Sequence, residues 1–108
     1  MHTTFSDGAD RPERVVARAA ELGIAAIAIT DHDTVGGVAI ARDAAKDAGI
    51  AFVSGVEISA KFDDADIHVL GLGIDVDSPP LRAALGGLHD ARAKRSSRML
   101  ERLAARGM

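Results

Sequence analysis

At 108 residues the chain has room for one domain, and a composition that is 47% hydrophobic supplies enough apolar material for a core. Only three residues are aromatic, all Phe, so small aliphatics must do the packing; with no Cys, disulfides and thiolate metal sites are excluded. No run approaches the roughly 18 apolar residues of a membrane span, and the N-terminus does not read as a signal peptide, so a soluble cytoplasmic protein without a membrane partner is expected.

The net charge of −3 is unevenly spread. Residues 80–108 carry +5, from seven Arg/Lys against Asp90 and Glu101, which leaves −8 on residues 1–79. An acidic segment that needs cations is one explanation, and ordinary solvated faces are the other.

In chain order, residues 1–8 read as a loop or strand fragment holding His2, Ser6, Asp7 and Gly8. Arg11-Pro12-Glu13 opens a helix, with Pro in its first turn and Asp10 placed to cap it. Val15, Val16, Ala19, Ala20 and Leu22 give that helix an apolar face, and Gly23 ends it. Ile24–Ile29 is apolar without alternation, the pattern of a strand buried on both faces. It runs straight into Thr30-Asp31-His32-Asp33-Thr34, which places three polar groups just past the strand's C-terminal end, where α/β proteins keep their chemistry. Read alone, Asp31 or Asp33 could equally cap the following helix.

That helix is expected over Val35–Ala48, weakened at its start by Gly36-Gly37 and closed by Gly49. Ile50–Val53 is a second buried strand, and the βαβ order implies a parallel pair. Val56–Phe62 and Ile67–Ile74 follow, separated by only four residues, too few for a parallel crossover; an antiparallel hairpin is predicted. A hairpin brings His68 back toward Glu57. After the turn Asp77–Pro80 the chain is helical to about Arg106, with Gly86-Gly87 expected to weaken or split the helix and His89 on its surface.

The polar groups at the strand ends are His2, Asp7, His32, Glu57 and His68, which include three of the four histidines. Such a set, without Cys, suits two or three hard or borderline divalent cations. An unpaired carboxylate inside the Val/Ile run around Glu57 would be expensive, which favours a cationic partner for it. The bland alternatives are a frayed His2, a simple turn at Asp7-Gly8 and a core histidine at His68. The basic run Arg92, Lys94, Arg95 and Arg98 reads either as a solvated helix face or as a contact for RNA or phosphate.

Four segments in order, His2-Thr3-Thr4-Phe5-Ser6-Asp7-Gly8, Ile29–Thr34, Gly55-Val56-Glu57-Ile58-Ser59 and Ile67-His68-Val69-Leu70-Gly71, resemble the motifs of the PHP (polymerase and histidinol phosphatase) domain phosphoesterases. The look-alike branch acts on nucleoside 3′,5′-bisphosphates and RNA 5′ ends. The resemblance implies an α/β fold, the N-terminal portion of a distorted (β/α)7 barrel over residues 1–79, with residues 80–108 starting a helical insertion. It implies metal ligation by His2, Asp7, His32, Glu57 and His68, with Glu57 bridging, and puts catalysis on Glu57 and His32 through a metal-activated water. Asp31 and Asp33 would support these ligands from behind. Mn²⁺ is the expected metal, with Fe²⁺, Zn²⁺ and Mg²⁺ as alternatives, and the partner is a phosphorylated small molecule or short RNA.

The family pattern has a further His two positions before His2, and C-terminal ligands beyond residue 108. The chain thus resembles the first third to half of a PHP enzyme, which raises a second reading: a non-catalytic fragment that binds metal weakly or serves as an interaction module. A metal-dependent amidohydrolase is disfavoured by the Ser-Asp-Gly and Thr-Asp-His-Asp-Thr motifs. Strand edges left open would favour a homo-oligomer or a covering C-terminal half.

Overall fold

A computed structural model describes residues 1–107 and shows an α/β chain of six elements. They are α1 (Pro12–Glu21), β1 (Ala26–Ile29), α2 (Val38–Ala48), β2 (Ala51–Phe62), β3 (Ala65–Leu72) and α3 (Pro79–Ala105). Two compact units result, Met1–Val76 and Asp77–Met108. Position 108, the last residue of the expected helical segment, lies outside the described residues.

In the first unit the strands lie in the order β1-β2-β3, with β1 parallel to β2 and β2 antiparallel to β3. Val15, Val16 and Ala19 of α1 and Ala41 and Ala45 of α2 pack on Ile27 and Ile29 of β1 to form the core. Burial of such aliphatic side chains, at about 25 cal/mol per Å², is the main driving force here. Only one sheet face receives helices. Ile27 pairs with Phe52 on that face, while Ala26, Ala51 and Val53 on the other are exposed. The first strands are therefore not buried on both faces as their unbroken apolar runs suggested.

Ile50–Val53 and Val56–Phe62, read as two strands, are one. β2 runs unbroken for 12 residues and changes partner part-way: Ala51–Ser54 pairs with β1, and Gly55–Phe62 with β3. The change falls at Gly55, where a Cβ would stand 2.8 Å from the Ile29 carbonyl oxygen and 3.1 Å from that of Gly71. Only glycine lets three backbones meet so closely. The hairpin turn is also tighter than four residues, since Asp63 and Asp64 both adopt positive φ (47° and 64°) and close a two-residue turn of the type whose twist suits a hairpin.

Helix starts differ from expectation. Arg11, not Asp10, occupies the N-cap of α1, without a side-chain cap, and the Asp10 carbonyl instead accepts the Thr4 N–H at 2.9 Å. Leu22, assigned to the apolar face of α1, is exposed. α2 begins at Val38 because Val35–Gly37 form a turn, and Gly37 rather than Asp31 or Asp33 is its N-cap. In the second unit α3 is one continuous helix of 27 residues, so Gly86-Gly87 does not split it. Two glycines at about 1 kcal/mol each are outweighed by the Ala, Leu, Arg and Lys that surround them. His89 is exposed on α3, as expected. No described helix is long and apolar enough to cross a membrane.

Candidate metal centre

The start of the N-terminal loop is bonded to the end of β1 and to Thr30 just past it through its backbone. The Met1 ammonium donates to the Ala28 carbonyl at 3.1 Å, and the Thr30 N–H donates to the Met1 carbonyl at 2.8 Å. From there residues 3–8 curl tightly, with the Ser6 and Gly8 N–H groups both donating to the Thr3 carbonyl. A Cβ on Gly8 would collide with the His2 carbonyl and stand 2.7 Å from Thr3 Cα, so the curl that sets His2 and Asp7 side by side requires glycine.

Asp31 fastens this loop. Its buried carboxylate accepts the Thr3 N–H and the Thr3 hydroxyl, each at 2.6 Å, and the Ser6 hydroxyl at 2.8 Å. Two residues on, Asp33 is equally buried and accepts the Ser59 N–H of β2 at 2.8 Å from a backbone held at φ 55°. Between them the backbone rejoins the sheet: the Glu57 N–H donates to the Asp31 carbonyl, and the Asp33 N–H to that of Glu57. The Asp-His-Asp triplet thus ties the loop with one carboxylate and β2 with the other. His32 between them is turned toward Glu57.

The five residues singled out in the sequence come together. Glu57 Oε1 stands 3.5 Å from His2 Nε2, and Oε2 stands 3.0 Å from His32 Nδ1 and 3.3 Å from His68 Nδ1. Asp7 closes a ring from the other side, at 3.1 Å from His32 Nε2 and 3.5 Å from His2 Nδ1. The His2 and His32 rings stack at 4.4 Å, and His68 tilts against His32 at 5.5 Å. His68 reaches Glu57 because β3 runs antiparallel: it pairs with Ser59 on β2, the next position on Glu57's face of the strand. It is half-exposed and not a core histidine. Glu57 is the least accessible of the set, with 17% of its side chain exposed against 66% for Asp7.

The donor set fits a hard or borderline divalent cation. One atom each from His2, His32 and Glu57 lies within 4.8 Å of the others, and no thiol competes. His2 Nδ1 is a buried nitrogen without a hydrogen bond, the kind of orphaned lone pair or N–H that a bound group would satisfy. Sequence reasoning missed Thr3 and Ser6, whose contacts with Asp31 place the loop. The signal was present only as small hydroxyl residues interleaved with His2 and Asp7.

Residues 1–104 match the family model described as the PHP domain. The chain belongs to the PHP domain family. A 3′,5′-nucleoside bisphosphate phosphatase of Chromobacterium violaceum is 42% identical over 108 residues, all of this chain and 38% of that protein. The 5′-3′ exoribonuclease Rnm of Salmonella typhimurium is 40% identical over 104 residues, 94% of this chain and 36% of that protein. A crystal structure of a candidate metal-dependent phosphoesterase from Bifidobacterium adolescentis superposes with a TM-score of 0.87 at 36% identity, over 95% of this chain and 36% of that one. The chain spans little more than a third of the length of these relatives.

Proposed function

We propose that this chain carries the N-terminal ligand set of a divalent-metal phosphoesterase, in which β1–β3 form part of a larger PHP barrel. The observation that carries the reading is Glu57: one carboxylate contacted on both oxygens by three imidazoles drawn from three separate segments of chain. A carboxylate that presents each oxygen to different nitrogens is suited to bridge two cations. His2, Asp7, His32, Glu57 and His68 would hold the metal ions. Divalent cations bound there would make a water available as nucleophile near neutral pH and would offset the charge that develops on the phosphoryl oxygens.

The chain's own contribution is placement. Asp31 fixes the loop that carries His2 and Asp7, and Asp33 fixes the strand that carries Glu57, so the donors are held before any ion arrives. A nucleotide or an RNA 5′ end is the substrate class that the similar phosphatase and exoribonuclease suggest, with Mn²⁺ the first metal to try and Fe²⁺, Zn²⁺ and Mg²⁺ next. The same exposure of Asp7 and His68 supports a second reading, in which this polypeptide by itself binds metal without turning over substrate.

Elemental analysis of the purified chain after exposure to Mn²⁺ and desalting tests the proposal. We expect about two ions per chain, a clear loss in Glu57→Gln, and phosphate release from a nucleoside 3′,5′-bisphosphate that depends on the ions. Metal retention without phosphate release would favour the second reading. Equal retention by wild type and Glu57→Gln would remove Glu57 from the centre.

A further inference from the structure

On α3 the side chains of Ala91, Lys94, Arg95, Arg98, Met99 and Arg102 surround an open trough of about 450 Å³. Their spacing repeats every three or four residues, so they form one stripe along the helix. The stripe contains four cations and no acid. None of the four makes an ion pair among the described residues, whereas Arg82 pairs with Asp77 at 3.0 Å and Arg11 with Glu13 at 2.8 Å. Lys94 and Arg98, and Arg98 and Arg102, stand four residues apart, a spacing at which like charges disfavour the helix. A chain of net charge −3 thus concentrates on one face four positive charges that make no ion pair among the described residues.

We infer that this stripe binds the phosphodiester backbone of single-stranded nucleic acid. The stripe shares no residue with the five-residue centre and does not need metal. From Lys94 to Arg102 the helix rises about 12 Å, a span that takes in a few successive phosphates of one strand. α3 has no aromatic side chain on which a base could stack, so recognition is of the backbone and tolerates any sequence. An anionic membrane fits less well. Its ligand helices carry a broad apolar face, whereas only Ala91 and Met99 interrupt the cations here, and Leu100 and Leu103 fall outside the stripe.

The test is fluorescence anisotropy of a labelled oligouridylate with the full chain in EDTA, over a salt series. We expect log K to fall with log salt at a slope of about −3, as four contacts on a single strand require. Replacing Lys94, Arg95, Arg98 and Arg102 together by Gln lowers affinity at least tenfold and flattens the slope. Changing the three arginines to Lys leaves both within about twofold, because point charges suffice. Glu57→Gln binds like wild type, which separates this site from the metal centre. Circular dichroism confirms that the variants keep their helix, and Arg98→Glu serves as a single-site check if the fourfold variant does not. Affinity of the Gln variant within twofold of wild type overturns the inference. Equal binding of oligouridylate, polyglutamate and phosphatidylserine vesicles also overturns it, and a DNA oligomer in parallel shows whether the ribose matters.

Discussion

The two sides of the candidate centre are built differently. His2 and His32 are held by segments that are themselves tied down: the buried Asp31 grips the N-terminal loop with three hydrogen bonds, and the Met1 backbone is bonded to Ala28 and Thr30. His68 sits on β3, an edge strand with its side chain half-exposed, next to exposed Val69, Leu70 and Leu72. One side is preorganised by polar contacts within the chain. The other depends on a single hairpin, and its apolar surroundings are a surface that invites cover. A ligand's worth should therefore depend on how firmly its support is fixed, and not only on its own chemistry.

That contrast can be broken first at Asp31. Asp31→Ala removes one acceptor from three donors and leaves the Thr3 N–H and hydroxyl buried and unpaired, so a loss of about 3 kcal/mol or more is expected in denaturant unfolding. Metal retention should fall with it even though no proposed ligand has changed. An unaltered midpoint would mean that the loop is held by something else.

Gly8→Ala attacks the same side through the backbone. The new methyl meets the His2 carbonyl and the Thr3 Cα, which are not flexible side-chain ends, so a cost of about 1–3 kcal/mol should appear as a lowered Tm, with loosened metal binding through His2 and Asp7. His68→Ala tests the opposite side. Its support is exposed, so stability should change by less than about 0.5 kcal/mol, while metal affinity measured by isothermal titration falls roughly tenfold. If His68→Ala destabilised the fold more than Gly8→Ala, the comparison would be inverted.

The smallest effect is expected in the second unit, where nothing crowds Gly86 or Gly87. Gly86→Ala and Gly87→Ala should each stabilise α3 by about 0.5–1 kcal/mol, seen as increased helicity and slower hydrogen exchange across that stretch. Metal retention should not move.

Much of this arrangement was legible in the residues. Pro12 and Gly23 bracketed α1 to within two residues, and the shortness of the link between Phe62 and Ile67 required the antiparallel return that brings His68 beside Glu57. Glu57 stood out because a carboxylate inside an apolar strand is expensive unless it meets a cation, whereas His2 and Asp7 stood out only through the resemblance of His2-Thr3-Thr4-Phe5-Ser6-Asp7-Gly8 to a PHP motif. The burial of β1 was misread, because an unbroken apolar run reports what could be covered and not what is. Ala26, Ala51 and Val53 face away from the helices, toward a side that the described residues leave open.

By itself the sequence determined the order of helices and strands, the hairpin and the chemical character of the site, since these depend on local periodicity, turn length and residue type. Only the tertiary structure decided that β2 is one strand shared by two partners, with Gly55 at the exchange. Only it decided that Asp31 and Asp33 face inward as fasteners of the loop and of β2, not as helix caps. The reason is physical. A buried carboxylate must find donors, and which donors are within reach depends on segments some 25 residues away being brought alongside.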